Sequence, residues 1–232
     1  MKGDASVQYP ETDEALFHLM KTELYSAVIG DILDQMGQYH QFLPPEIRPL
    51  KPEMILCGRA MPVVETDLAT AGERVPGEKP FGRMLDALDD LRPGEVYLCT
   101  GASPDYALVG EIMCSRMRAL RAAGAVCDGF HRDTKGILAL DFPCFSRGSY
   151  SQDQAPRGRV TDYRVPVELH GVHIDPGDLL FGDLDGVVVI PARMEREVIE
   201  RAWVKATGEK TTGDAIRSGM SAREAFERYG IM

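Results

Sequence analysis

The segment Ile174–Pro191, IDPGDLLFGDLDGVVVIP, constrains the fold more than any other stretch of the chain. Asp175-Pro176-Gly177-Asp178 reads as one turn and Asp183–Gly186 as a second, because Pro and Gly supply backbone dihedrals that other residues resist. Between them Leu179–Phe181 is extended. Val187–Ile190 follows as a strand made wholly of β-branched residues and stopped by Pro191, which has no N–H for a ladder. A chain holding this hairpin builds a sheet, and the segments on either side decide what covers it.

Apolar residues recur at helical spacing from Asp13 to Gly37 (Leu16, Leu19, Met20, Leu24, Ala27, then Val28-Ile29 and Ile32-Leu33), so helices are expected there, with Ser26 capping the second. Residues 38–52 carry four prolines and read as an irregular connection. Met54–Val64 is the first strand, with a bulge expected at Gly58. Thr66–Pro80 is polar and Gly-rich, a loop; Met84–Leu91 is a short helix and Glu95–Thr100 a strand. A helix is predicted from Ala107 to Ala123. Ala125–Cys127 is a buried strand and Phe142–Phe145 another, followed by a polar loop over Ser146–Pro156. Val160–Val167 and Gly171–Ile174 read as antiparallel strands. Ala192–Ala206 is a helix, and two short helices finish the chain, the second capped by Ser221 with Glu224 three residues on. Helices at both ends of a strand-rich middle point to one α/β domain with a mixed sheet: N-terminal helices over 13–37, an α/β core over 54–191 and C-terminal helices over 192–232.

Composition narrows the function. The formal net charge is −10 and there is no basic block, which argues against a nucleic-acid surface. Five cysteines are widely spaced, with no CxxC and no Cys/His cluster, so zinc and a disulfide framework are both poorly supported and buried reduced thiols are expected. The polar, acidic N-terminus does not resemble a signal peptide, and no apolar run approaches a membrane span. The expectation is a cytoplasmic protein with no membrane partner.

Chemistry concentrates at Gly124–Gly136, GAVCDGFHRDTKG. A short apolar run ends at the Asp128-Gly129 turn, and His131, Arg132 and Asp133 follow side by side. Taken alone, this is equally a solvated loop with a local Arg-Asp pair.

The context is what sharpens it. Gly110-Glu111 at a helix start, Asp128-Gly129 with Arg132-Asp133 after a strand, and the hairpin PGDLLFGDLDGVVVIP come in an order and spacing that resemble the RraA-like family. This is the family of the regulator of ribonuclease activity A and of the 4-hydroxy-4-methyl-2-oxoglutarate aldolases. The 21 residues from Glu111 to Arg132 and the C-terminal GEKTTGDAIRSGMSAREAFERYGIM are similar to family members as well. The resemblance implies an αββα sandwich, assembled as a homotrimer or a dimer of trimers with sites between subunits. It implies a divalent-metal-dependent lyase of the class II pyruvate aldolase type, acting on a small 2-oxo acid as an aldolase or as an oxaloacetate decarboxylase. The alternatives are a non-catalytic acidic ring that binds an RNA-processing enzyme, and a metal-dependent lyase or hydratase on a sugar-acid or aromatic-catabolism intermediate.

Carried over residue by residue, Asp133 is the expected direct ligand of Mg²⁺ or Mn²⁺, since a hard oxygen donor suits an ion that keeps much of its water. Arg132 is expected to grip the 2-oxo group and steady the enolate. Glu111 is expected to hold a metal-bound water, although a first-turn glutamate also complements a helix dipole without any further role. The backbone amides of Gly110, Glu111, Ile112 and Met113 are expected to receive the substrate carboxylate. Asp31 and Glu209 match positions that reach a neighbouring subunit's site; an exposed helix residue and a polar turn residue explain them equally well. His131 is not assigned a catalytic role, and Arg147, Arg157 and Arg159 in the following loop are candidates to read a distal carboxylate.

Overall fold

The computed structural model describes residues 9–72 and 81–231. Helices α1 (Asp13–Glu23) and α2 (Ser26–Gln35) come first, then strands β1 (Arg48–Pro49) and β2 (Leu56–Asp67). Next are α3 (Met84–Asp89), β3 (Glu95–Thr100), β4 (Ala107–Val109), α4 (Glu111–Ala119), β5 (Gly124–Cys127), β6 (Phe130–His131), α5 (Thr134–Leu140) and β7 (Cys144–Ser146). Strands β8 (Gly158–Tyr163), β9 (Val167–Leu169), β10 (Val172–Ile174), β11 (Leu179–Asp183) and β12 (Gly186–Ile190) complete the β structure. A 3-10 turn leads into α6 (Glu195–Arg217), and α7 (Ala222–Tyr229) is the last helix.

The main sheet runs β1-β7-β5-β3-β2-β11-β12, with β8 alongside the second half of β2. Strands β2, β3, β5 and β7 are parallel, while β1, β8, β11 and β12 pair antiparallel. Beyond β12 the chain at 41–43 adds two more hydrogen bonds, Leu43 N–H to the Val187 carbonyl (2.9 Å) and Val189 N–H to the Gln41 carbonyl (2.8 Å), and then continues to β1 at the opposite edge. The mixed sheet is thus almost closed.

The period of two along each strand sorts the side chains into an inner and an outer set. Leu56, Ala60, Val96, Leu98, Val126, Leu180, Val187 and Val189 meet inside, where the β9-β10 hairpin contributes Leu169 and Ile174. The alternate residues point outward and are also buried. Cys57, Leu179, Phe181, Val188 and Ile190 pack under α1, α2 and α6. Met61, Tyr97, Cys99, Ala125 and Cys127 pack under α3, α4 and α5. Two helical layers therefore flank two walls of sheet in a single mixed α/β domain, as an αββα sandwich requires. All five cysteines are free and buried.

Several local expectations change. The predicted helix from Ala107 begins only at Glu111, because Ala107–Val109 is a short strand paired in parallel with β6 and buried throughout. Three apolar residues before a helix read as its continuation when only periodicity is consulted. The strand read over Val160–Val167 is two strands: β8 belongs to the main sheet, and β9 forms the hairpin with β10. Gly58 is not a bulge; the register shift falls between Val64 and Glu65, and Gly58 is where the Gly94 carbonyl oxygen would lie 2.5 Å from a Cβ. Ser26 is not a cap but the first residue of α2, and the Asp183 carboxylate does the capping, accepting from its N–H (2.7 Å) and from its hydroxyl (2.7 Å). Asp183 thus has a job beyond the hairpin turn. Helix α6 runs far past Ala206, to Arg217; along it Thr207, Thr211 and Thr212 return their hydroxyls to carbonyls one turn back, and Gly208 leaves room for Ile231. Within the expected Thr66–Pro80 loop, residues 73–80 lie outside the described residues, and β2 extends through Asp67.

Candidate functional site

The site starts from the pairing of β4 with β6. In that register Val109 lies beside His131, and Arg132 N–H donates to the Val109 carbonyl (2.9 Å). Each strand runs almost directly into a helix: Gly110, the residue after β4, is the N-cap of α4, and Asp133, two residues past the end of β6, is the N-cap of α5. Two helix N-termini are thereby set side by side, each with amides that have no partner within the helix.

Asp133 adopts the left-handed conformation (φ 59°), which Asp tolerates better than most residues. Its Oδ2 accepts from Glu111 N–H at 3.4 Å and lies 3.7 Å from Arg132 Nε. A Cβ on Gly110 would sit 2.8 Å from that same oxygen, so Gly110 is what lets the Asp133 carboxylate approach the start of α4. Gly136, in the first turn of α5, plays the same part for Glu111: a Cβ there would overlap the Glu111 carboxyl group. Each carboxylate seats on a glycine of the other helix start. Gly110 has no side chain to cap α4, so the first turn of that helix has no capping bond from its N-cap residue, and Ile112 is 85% exposed.

Arg132 is held from its other side by Asp153, at 3.3 Å from NH1. Asp153 sits on the long loop after β7, which is pinned onto this edge: Ala107 N–H donates to the Gln152 carbonyl (2.9 Å) and Tyr150 N–H to the His131 carbonyl (2.8 Å). His131 is buried and turned away from the pair, its Nδ1 on Ser146 Oγ (2.7 Å) and its Nε2 on Thr134 Oγ1 (2.9 Å). Burial lowers its pKa, so it serves as a neutral strut between β7 and the start of α5.

Two open clefts meet here. The smaller, about 250 Å³, is lined by Arg132, Asp133, Thr134, Ser149, Tyr150 and Ser151. The larger, about 670 Å³, shares Ser149 and Tyr150 with it and extends past Phe130, Tyr106, Asp105 and Arg157. Of the three loop arginines, only Arg157 lines the larger cleft; Arg147 is spent on Asp128 (2.7 Å) and Glu46 (3.4 Å). Asp31 and Glu209 lie elsewhere, on α2 and α6, where both pair with Lys205. The sequence reading missed Asp153 and Gly136. Neither carries a local signal, since one lies in an aperiodic polar loop and the other looks like an ordinary helix glycine.

The donor set tests what ion could be held. Among the described residues no three His, Cys, Asp or Glu side chains converge into a cage. What is present is one half-exposed carboxylate with a second beside it, in a cradle that a Cβ at Gly110 would fill. That fits a hard cation which keeps most of its water, as Mg²⁺ does, and does not fit a soft or cage-bound metal.

The family model for RraA-like proteins, Aldolase/RraA, matches residues 26–189. A Halalkalibacterium halodurans protein named "Putative 4-hydroxy-4-methyl-2-oxoglutarate aldolase" is 33% identical over 144 residues, covering 62% of this chain and 68% of its own length. Protein DlpA of Legionella pneumophila is 27% identical over 208 residues, 88% of this chain but 32% of its own, so the chain spans about a third of that relative. Among solved structures, an uncharacterised protein of Pseudomonas syringae pv. tomato superposes with a TM-score of 0.81 at 26% identity, covering 97% of this chain and 99% of that one. Streptomyces coelicolor RraAS2, described as an unusual member of the RNase ES inhibitor RraA family, shares the fold with a TM-score of 0.73 at 22% identity over 88% and 98% of the two chains. With the family model covering well over half of its length, the chain belongs to the RraA-like, Aldolase/RraA, family.

Proposed function

We propose that the chain is a divalent-metal-dependent carbon–carbon lyase that cleaves a 2-oxo acid through a pyruvate enolate. The observation that carries this reading is the meeting of Asp133, Glu111 and Arg132 at two abutting helix N-termini, with Gly110 and Gly136 clearing the space. Asp133 would hold Mg²⁺ or Mn²⁺ directly and Glu111 would hold one of its waters. When bound, the ion supplies Lewis-acid polarisation of the 2-oxo group.

The chain's own residues do the rest. The amides of Ile112 and Met113 receive the substrate carboxylate, helped by the positive end of α4. The Arg132 guanidinium, fixed between Asp133 and Asp153, donates to the 2-oxo oxygen as negative charge develops there. For a 4-hydroxy-2-oxo acid the C4 hydroxyl proton passes to water positioned by Glu111, the C3–C4 bond breaks, and an aldehyde or ketone leaves. C3 then takes up a proton to give pyruvate. Oxaloacetate would lose CO₂ and reach the same enolate. Asp31 and Glu209 line no cleft with Arg132, and we assign them to a neighbouring copy's site in a trimer or dimer of trimers. The five free buried thiols suit a cytoplasmic setting.

The test is pyruvate release from oxaloacetate and from 4-hydroxy-4-methyl-2-oxoglutarate, measured with Mg²⁺ and with EDTA. Turnover that needs the metal and disappears in Asp133→Asn supports the lyase. Absence of turnover together with absence of metal binding would overturn it and leave a regulatory, partner-binding role.

A further inference from the structure

The larger cleft is not needed by either small substrate, and its chemistry is specific. We infer that it binds the tail of the natural substrate and that this tail is neutral and polyhydroxylated, as in a 4-hydroxy-2-oxo acid derived from a sugar acid. The inference rests on the lyase reading above and names its substrate class.

The position follows from the shared wall. Ser149 and Tyr150 line both clefts, so a chain whose 2-oxo end lies at Arg132 and Asp133 runs along them into the larger space. Two accessible rings, Phe130 and Tyr150, line that space, packed edge to face at 5.6 Å between centroids, while Tyr106 beside them is buried. Flat rings of this kind take the C–H faces of a carbohydrate chain.

The polar groups decide between tails. Asp67 and Asp105 both line the cleft. The Asp67 carboxylate already accepts from Tyr106 Oη (2.8 Å) and Ser103 N–H (3.1 Å). Asp105 is exposed and, among the described residues, makes no hydrogen bond or ion pair. A free carboxylate accepts strongly from hydroxyl groups. Among the described residues Arg157 is the one cation that lines the cleft, and it donates to the Asp153 carbonyl (2.9 Å). A second substrate carboxylate would therefore face two anions against one engaged guanidinium. A purely apolar tail would cover the Asp105 carboxylate without offering it a donor. Hydroxyl donors on a carbon chain match both the rings and the acceptors.

The experiment compares kcat/KM for pyruvate release from 2-keto-3-deoxygluconate and from 4-hydroxy-4-methyl-2-oxoglutarate, with oxaloacetate as the tail-less reference, in wild type and in Asp105→Lys. The expected result is at least a tenfold preference for the polyol in wild type. Asp105→Lys, an exposed substitution whose folding is checked by circular dichroism, should reduce or invert that ratio. Equal or better use of the dicarboxylate by wild type, or a ratio indifferent to Asp105→Lys, would overturn the tail assignment while leaving the lyase in place. No pyruvate from any of the three, oxaloacetate included, would overturn both.

Discussion

Replacing Gly136 by Ala separates what the site needs from what the fold needs. Gly136 lies in the first turn of α5, and a methyl group there would overlap the carboxyl end of Glu111. For the fold, removing a helical glycine is favourable, by about 0.5–1 kcal/mol in a helix interior and less in a first turn. The displaced atoms are the far end of a flexible, exposed side chain, which swings aside at little cost. The melting temperature should therefore hold or rise, by no more than about 2–4 °C for a domain of this size. For the site the effect is opposite. Glu111 loses its seat beside Asp133, and a misplacement of about 1 Å in a catalytic group costs on the order of 100-fold in rate. The assay pairs thermal unfolding with steady-state pyruvate release under Mg²⁺ saturation. A protein with unchanged kcat and a raised melting temperature would refute the claim that the Glu111 position matters.

Other substitutions probe other links. Asp133→Asn keeps a residue suited to the left-handed backbone, so stability should change by less than about 1 kcal/mol while metal-dependent turnover falls at least about 100-fold; calorimetric titration with Mg²⁺ and the pyruvate assay read the two effects separately. Glu65 is buried, one of its oxygens has no partner among the described residues, and burial beside Asp67 raises its pKa to about 8. Its carboxyl is thus protonated in the fold and ionised when unfolded between the ordinary 4.5 and about 8, so stability is greatest below that window and declines as pH rises through it. Glu65→Gln should flatten the decline, which amounts to a few kcal/mol, and urea midpoints at pH 5 and pH 8 would show whether it does. Asp183→Ala removes both bonds to Ser26 at the start of α2 and should cost about 1–2 kcal/mol, seen as a lower urea midpoint with an unchanged slope.

The parts of the fold that could be read in the chain are those whose signals are local. The β11-β12 hairpin announces itself through two turns and a β-branched run, and Glu95–Thr100 is bounded by Pro93-Gly94 and Gly101, so its limits were clear. Strand β4 was hidden because its three residues form a strand only by pairing with β6, a partner distant in sequence. The continuation of α6 was hidden because its Gly and Thr residues look like a break until the returned hydroxyls and the Ile231 contact are seen. At the site, Glu111, Arg132 and Asp133 could be found from residue type and order, and the fold does bring them together. Asp153 could not, since its place beside Arg132 comes from a bridge to Ala107. Nor could Gly136, whose significance exists only in relation to a side chain of another helix.

The loop that carries Asp153 also has a bearing on how such a protein diverges. One face of the loop, with Tyr150 and Gln152, walls the larger cleft, while Asp153 grips the arginine at the smaller one. Substrate range and the orientation of Arg132 are consequently not independent traits here. An insertion or loop exchange that admits a new substrate also releases one of the two anchors on that arginine. New specificities should arrive with lowered turnover and need a later substitution to restore it. Loop grafting aimed at changing the substrate therefore has to carry an acid for Arg132 along with the new wall.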